Sequence, residues 1–331
     1  MYVSLGIFTQ YRRELMGVAT VLILLCHSLL PPAIHCPNDI LRWIIITGNR
    51  GVDIFLFLSG LGMYHSLRKM TKWNRGGVIR WYAKRYRHIL LPYLLICFPY
   101  YLVLGCVNDG HFSISIFLYR LSTLNYWLEH KGFWYIAMLI PLYFLTPFYA
   151  RIIDKTKYQT LLTVTLCIIL LLISTIKIEN NNLFSHVWNN TAFVLQRIPS
   201  YLIGYCILKG KKVNLLKLTG IIAGCFLVIK IIFPANTFWE WLEIYPIMLV
   251  SYFFIKKSVW IKRICTFMGQ ISLESYLTNG CMILLIGLLP WETTLDHLNY
   301  GNYLRYTLII VTGITTAYCA NRIINKITAR L

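Results

Sequence analysis

The chain has 331 residues, of which 57% are hydrophobic and only 13% are charged, and its formal net charge is +20. A soluble globular domain carries about 25% charged residues because its surface faces water, so this composition excludes an ordinary soluble protein. The positive charge would favour nucleic-acid binding in a soluble protein. In a membrane protein, basic residues in cytoplasmic loops are the expected topology signal. We therefore expect a membrane protein without a nucleic-acid partner.

Apolar stretches recur along the whole chain, and each is interpreted as a helix that crosses the bilayer. A transmembrane helix needs about 20 apolar residues. The predicted spans are 14–31, 41–66, 89–107, 133–150, 159–178, 191–208, 218–234, 242–255, 264–289 and 304–324. The weaker apolar run 112–128 is interpreted as an interfacial or re-entrant helix. The predicted fold is an all-α integral membrane protein, a bundle of about ten transmembrane helices. It forms a single domain over residues 1–331 without an appended soluble domain.

The loops between these spans alternate in charge, which predicts the orientation of the chain. Alternate loops collect basic residues and the opposite loops carry acidic ones. The basic loops include Arg12, Arg68, Arg80, Arg151, Lys155, Lys256 and Arg322, and the acidic loops include Asp39, Glu129, Glu179, Glu243 and Glu292. Positive loops stay on the cytoplasmic side, so both the N-terminus and the C-terminus are predicted to face the cytoplasm.

Four ionisable residues fall inside predicted spans, namely His27, Asp53, Arg197 and Glu274. Such groups are costly in a bilayer and usually face a bundle interior or a water-filled cavity. Two interpretations stay open for each residue. It belongs either to a buried pair or network that fixes helix packing, or to a shared polar cavity that carries the chemistry.

The first predicted span carries a stripe that leads from a cation to a histidine. At 100° per residue, Arg13, Met16, Thr20, Ile23 and His27 share one helix face. His27 lies roughly 21 Å along the axis from Arg13. This arrangement suits a long anionic molecule that enters from the cytoplasm and places its reactive end beside His27. Coenzyme A thioesters have that shape, although the geometry alone does not select them.

A basic cluster precedes the third span and contains Arg80, Lys84, Arg85, Arg87 and His88. One interpretation is ordinary anchoring at the cytoplasmic face, with contacts to lipid phosphates. The other is a binding site for the phosphates of a ligand at the inner mouth of the bundle. The sequence does not decide between the two.

The ten cysteines form no CxxC pair and no Cys/His cluster with zinc spacing, so no metal site is expected. Most of them lie in apolar runs, where cysteine behaves as a small hydrophobe. Cys36 and Cys106 fall in predicted outer loops, and the sequence leaves open whether they pair.

Six segments of the chain, in order, resemble the acyltransferase-3 family, the membrane acyltransferases that modify bacterial surface glycans. The segments are Glu14–His27, Gly51–Gly60, Lys84–Tyr93, Phe133–Pro147, Arg197–Gly204 and Met268–Leu277. Two positions depart from the family pattern. Met16 stands where the family usually has Arg or Lys, with Arg13 one turn earlier, and Asn279 stands where the family often has His.

This resemblance implies a membrane O-acyltransferase, in most cases an O-acetyltransferase. Its donor would be acetyl-CoA or another acyl-CoA, and its acceptor a hydroxyl group of a glycan. The resemblance also implies a multi-pass protein of the bacterial cytoplasmic (inner) membrane, in contact with lipids. The oligomeric state stays open.

The resemblance also implies roles for the candidate residues. His27 would act as a general base or form an acyl-enzyme, and Asp53 or Glu274 would orient its imidazole. Arg197 would stabilise the developing oxyanion or position the acceptor. The phosphates of coenzyme A would be held by Arg13, Lys84, Arg85, Arg87 and His88.

Two other functions stay open. A transporter or flippase also places Asp, Glu, His and Arg inside the membrane, although the sequence shows no inverted repeat. A catalytically silent membrane partner is the third alternative, because the usual cation is replaced by Met16.

Overall fold

The computed structural model describes residues 2–30, 38–70, 73–107, 112–180, 182–207, 212–214, 231, 240–287 and 301–329. Within these ranges the chain is helical apart from one short antiparallel ribbon, in which β1 (Tyr2–Ser4) pairs with β2 (Lys212–Asn214). The prediction of a helical fold is therefore confirmed. The predicted span 218–234 and Cys36 lie outside the described residues, apart from Ile231.

The helices follow one another with short connections. They are α1 (Ile7–Gln10), α2 (Arg12–His27), α3 (Asp39–Thr47), α4 (Arg50–Arg68), α5 (Arg75–Val107), α6 (Ile114–Leu121), α7 (Leu124–Glu129), α8 (Trp134–Lys155), α9 (Gln159–Ser174), α10 (Leu183–Leu195), α11 (Ile198–Cys206), α12 (Ile244–Lys257), α13 (Val259–Gln270), α14 (Ser272–Gly287) and α15 (Gly301–Ala329). A single 3₁₀ turn, Glu240–Glu243, precedes α12.

Among the described residues, four helical stretches are long and apolar enough to cross a membrane. They are Asp39–Arg68, Arg75–Val107, Trp134–Lys155 and Asn302–Ala329, and α9 is a shorter apolar helix. Large apolar side chains such as Trp43 and Leu161 are more than 60% exposed on the outside of the bundle. A soluble protein would bury such side chains, whereas lipid solvates them. These features support a membrane protein.

Two of the predicted spans are interrupted in the structure. The predicted span 191–208 consists of α10 and α11, which are separated by a turn at Gln196 and Arg197. Pro199 at the start of α11 lacks an amide hydrogen and favours a helix start at this point. The predicted span 264–289 is likewise divided between α13 and α14 at Ile271. Hydropathy does not detect such breaks, because both halves are apolar.

Helix α4 lies at the centre of the fold, with every residue from Arg50 to Leu61 buried. It packs closely against α11, because a Cβ atom on Gly60 would overlap the carbonyl oxygen of Tyr201. A Cβ on Gly204 would overlap the carbonyl oxygen of Phe57 in the same way. Small residues allow helix backbones to approach closely within a membrane. The α4–α11 contact therefore fixes the position of the polar side chains on α4.

Candidate active site

Helices α2, α5, α8 and α14 line two cavities that follow one another along the helix axes. The first, which we call the basic cavity, has a volume of about 360 Å³, and its lining includes Arg12, Met16, Arg85, His88, Tyr135 and Tyr276. The second, which we call the histidine cavity, has a volume of about 640 Å³. Its lining includes His27, Tyr100, Tyr101, Phe133, Trp134 and Tyr276. Each of the four helices contributes to both cavities, so the bundle itself sets their relative position.

His27 is the last residue of α2 and is half-buried at the wall of the histidine cavity. Its Nδ1 lies 2.6 Å from Oδ1 of Asn279 on α14. An amide oxygen only accepts hydrogen bonds, so Nδ1 carries the proton in this arrangement and Nε2 keeps its lone pair. The arrangement can therefore supply a base within the cavity.

Asn279 is held rigidly by its surroundings. Its side chain is 1% exposed, and the preceding residue, Thr278, donates a hydrogen bond to the carbonyl oxygen of Gly313 on α15 (2.8 Å). The sequence analysis did not identify Asn279 as the partner of His27, because a neutral amide in an apolar helix is not conspicuous. The signal that could have identified it is its position, where the resembling family often has a second histidine.

Aromatic rings line the histidine cavity and polar side chains occupy its rim. Lys131 Nζ lies 2.9 Å from Glu129 Oε2, and the Tyr119 hydroxyl donates to Glu129 Oε1 at 2.8 Å. The hydrogen bond from Lys131, followed by that from Tyr119, lowers the pKa of the Glu129 carboxyl. This carboxylate consequently stays charged at neutral pH. Apolar walls with a few placed polar groups are typical of small-molecule sites.

The basic cavity is surrounded by cations. Arg12 Nε donates to the carbonyl oxygen of Leu58 at 2.9 Å. The guanidinium of Arg85 lies 6.0 Å from the Trp81 ring, and its buried Nε atom has no hydrogen-bond partner among the described residues. A donor without a partner at a cavity wall is suited to an anionic ligand.

Two further cavities adjoin the basic cavity and share its cations. One, of about 570 Å³, is lined by Arg12, Arg80, Lys84 and Arg85 among others. The other, of about 520 Å³, is lined by Arg80, Ala83, Lys84, Arg87, His88 and Thr328. The structure therefore brings together Lys84, Arg85, Arg87 and His88, which the sequence assigned to phosphate binding. They lie on one long helix, α5, and not in a loop before it.

Arg13 lies elsewhere, because its side chain is exposed and does not line these cavities. The cation beside Met16 is Arg12, which the sequence analysis did not select. A spacing of four residues, like one of three, places two side chains on the same helix face. The stripe between Met16 and His27 was therefore identified correctly, but its cation was assigned one residue too late.

Asp53 and Arg197 form an ion pair between α4 and the start of α11. Asp53 is fully buried and also accepts a hydrogen bond from Ser200 Oγ at 3.3 Å. The guanidinium of Arg197 lies 5.7 Å from the Phe193 ring. Neither residue lines the basic or the histidine cavity. This geometry matches the interpretation in which the two residues fix helix packing.

Glu274 is 5% exposed, and its Oε1 accepts a hydrogen bond from Nδ2 of Asn321 on α15 at 2.9 Å. Within the part of the chain that the structure describes, neither Glu274 nor Asp53 is hydrogen-bonded to His27. The side chain that orients the imidazole there is Asn279. The described residues also contain no group of three or more His, Cys, Asp or Glu side chains that could hold a metal ion.

The sequence model of the acyltransferase-3 family, described as an acyltransferase domain, matches residues 15–322. Searches of curated proteins and of solved structures gave no significant match. The matched range contains α2, α5, α8 and α14, the helices that line both cavities. The match covers nearly the whole chain, and the chain therefore belongs to the acyltransferase-3 family, as a membrane acyltransferase.

Proposed function

We propose that this protein transfers an acyl group, most simply acetyl, from coenzyme A to a hydroxyl group of a cell-surface or lipid-linked glycan. The observation that supports this proposal is the placement of His27 in a cavity lined by aromatic rings, in line with a second cavity lined by cations. The protein would lie in the bacterial cytoplasmic membrane with about ten spans. Both termini, and the basic cavity, would face the cytoplasm.

The donor would bind from the side of the basic cavity. Arg12, Lys84, Arg85, Arg87 and His88 line this cavity and the two that adjoin it, and would hold the phosphates of coenzyme A. The thioester would then point along α2 towards His27. Met16 and His27 are eleven residues apart on this helix, so the thioester has to reach about 16 Å into the bundle.

The acceptor would bind in the histidine cavity. Its hydroxyl donates a proton to Nε2 of His27 while its oxygen attacks the thioester carbon. The new C–O bond forms, the C–S bond breaks, and the imidazolium returns the proton to the thiolate of coenzyme A. The products are an ester and a free thiol, and the step is redox-neutral. Asn279 contributes by keeping the proton on Nδ1, which leaves Nε2 available as the base.

His27 could also act as the nucleophile, with an acyl-imidazole as intermediate. The two routes differ in the order in which products leave. A burst of free coenzyme A thiol in the absence of acceptor identifies the acyl-enzyme. Its absence, with thiol release that requires the acceptor, identifies the general-base route.

The proposal is tested by measuring acetyl transfer to glycan with purified protein and three variants. His27→Ala should lower kcat by about 10²–10⁴-fold, the range for a lost general base. Asn279→Leu should lower it about tenfold or more, because the lost hydrogen bond contributes about 1–3 kcal/mol. Asn279→Asp should retain more activity than the leucine variant, because a carboxylate still accepts the proton of Nδ1.

The matched control for these variants is His186→Ala, since His186 is an exposed histidine on α10 that lines neither cavity. It should transfer acetyl groups at the normal rate. Full activity of His27→Ala would contradict the proposed mechanism.

The two cavities in line along the helix axes would also suit a transporter or flippase. The same assay separates the two functions, since a transferase leaves labelled acetyl covalently on the glycan. Movement of an unmodified solute, together with no labelled glycan and no release of coenzyme A, would favour the transporter.

A further inference from the structure

Three aromatic side chains stand between the basic cavity and the histidine cavity. Phe133 faces the histidine cavity, Tyr135 faces the basic cavity, and Tyr276 lines both. We call these three residues the aromatic partition. The ring centroids of Tyr276 and Tyr135 are 5.5 Å apart, and those of Tyr276 and Phe133 are 6.2 Å apart. These distances are typical of packed aromatic pairs.

The aromatic partition is buried and closely supported. Phe133, Tyr135 and Tyr276 are 7%, 6% and 9% exposed. Phe133 packs on Tyr93 with centroids 6.1 Å apart, and Gly280 faces its other side. A Cβ atom on Gly280 would lie 2.9 Å from Cε1 of Phe133, which is too close for a side chain. The chain thus leaves room for the Phe133 ring but for little else.

The helix positions show that this partition lies across the path between the two cavities. On α14, Ser272 and Leu273 line the basic cavity, whereas Gly280 and Leu284 line the histidine cavity, and Tyr276 lies between them. Among the described residues, Tyr276 is the side chain that both cavities have in common. A group that moves from one cavity to the other along α14 therefore has to pass its ring.

We infer that Tyr276 divides the donor site from the acceptor site and limits the width of the acyl group that reaches His27. The inference rests on the proposed function for its acyl group, while the division of the two cavities stands on the geometry alone. A linear chain enters end-on and keeps the same cross-section at any length. A branched acyl group is wider at the thioester and has to displace the ring. Tyr276 therefore discriminates branching more strongly than chain length.

The first experiment measures the division without any activity. A cysteine replaces Met16 in the basic cavity, and intact cells and inverted vesicles are treated with a small membrane-impermeant methanethiosulfonate. Modification of residue 16 is read by peptide mass spectrometry, which separates it from the native cysteines. With Tyr276 present, residue 16 should react from one face of the membrane. With Tyr276→Ala in addition, it should react from both faces.

The folding control is internal to each sample. Cys167 is 3% exposed and lines neither cavity, so it reacts in unfolded protein only. If Tyr276→Ala exposes Cys167, the result is taken from Tyr276→Leu, which keeps more of the side-chain volume. Reaction of residue 16 from both faces in the presence of Tyr276, or from one face in the folded smaller variants, would overturn the division.

The second experiment measures selectivity as the ratio of isobutyryl to acetyl transfer. Each ratio comes from one preparation, so the folded fraction cancels. Tyr276→Phe should keep the ratio of the natural protein, Tyr276→Leu should raise it, and Tyr276→Ala should raise it roughly tenfold, since one methyl group in a close-fitting site changes selectivity by that order. A butyryl to acetyl ratio measured alongside should change less.

The outcomes separate this inference from the proposed function. One-sided labelling that becomes two-sided, with no transfer from any acyl-CoA, supports the division and contradicts the acyltransferase proposal. Transfer by the natural protein with the same isobutyryl ratio in all variants contradicts the role of Tyr276 in selectivity. A change in Tyr276→Phe equal to that in Tyr276→Ala would assign the effect to the hydroxyl group and would likewise overturn the inference.

Discussion

Two consecutive arginines at the start of α2 occupy different environments. Arg12 is half-buried, lines the basic cavity and donates to the carbonyl oxygen of Leu58. Arg13 is exposed, and its backbone packs against α13 beside Gly269. Both carry the same charge, so their long-range attraction for an anion is nearly equal. What differs is the capacity for direct contact with a ligand in the cavity.

This difference predicts opposite behaviour of two matched variants. Arg12→Gln should raise KM for acetyl-CoA about tenfold or more, because a hydrogen bond between charged groups contributes about 1.5–3 kcal/mol. Arg13→Gln removes the same charge from the neighbouring position and should change KM by less than about twofold, since exposed charges are well screened. Steady-state kinetics at fixed ionic strength measure both. An equal rise in the two variants would show that only the general positive field matters.

Some of these residues could be predicted from the sequence and others could not. His27 and the cluster from Lys84 to His88 are conspicuous because each is a polar group beside or within an apolar helix. Asn279 lies 252 residues after His27, and no local pattern links the two. Arg12 and Arg13 are almost equivalent in a helical projection, because three and four residues both approximate one turn. Only the packing of α2 decides which of them faces inward.

At the scale of elements, the contact between α4 and α11 combines close backbone packing with a buried ion pair. Gly60 and Gly204 permit the close approach. Asp53 then lies fully buried against Arg197, whose side chain is 12% exposed. Breaking a buried pair by removing one partner leaves an uncompensated charge, which costs about 3–5 kcal/mol. The pair therefore ties the two helices together only as long as both members are present.

Three variants test this dependence by thermal unfolding in detergent. Arg197→Gln should lower the unfolding temperature most, because it leaves the Asp53 carboxylate without its cation. The double variant Asp53→Asn with Arg197→Gln should recover part of that loss, because both charges are then removed. Lys131→Gln breaks an exposed pair with Glu129, whose side chains are 73% and 44% exposed, and should have little effect. A double variant less stable than the sum of the single changes would contradict this account.

The sequence predicted the positions of most helices but not their interruptions. Apolar length identifies a span well, because a lipid-facing helix has to be apolar throughout. It does not show that the run 191–208 turns at Arg197, since the polar residues at the break are few. In the structure the turn places Arg197 opposite Asp53. The charged residue that looked out of place in one long span is thus explained by the pairing at the start of a shorter one.

At the scale of the whole molecule, the alternation of charge predicts the orientation of the chain. A fluorescent protein fused after residue 331 should fold in the cytoplasm and be fluorescent. An alkaline phosphatase fused after Glu179 should be exported and active, because that loop is predicted to lie outside. Activity of each reporter in cells is the measurement. An active phosphatase at the C-terminus, or an inactive one after Glu179, would contradict the predicted orientation.

The shared walls of the two cavities have a thermodynamic consequence. Among the described helices, α2, α5, α8 and α14 each carry side chains of both cavities. A ligand that shifts one of these helices in one cavity changes the affinity of the other by some coupling free energy. Linkage requires the second ligand to change the affinity of the first by the same factor. Product release on one face would then respond to occupancy on the opposite face, without any messenger crossing between them.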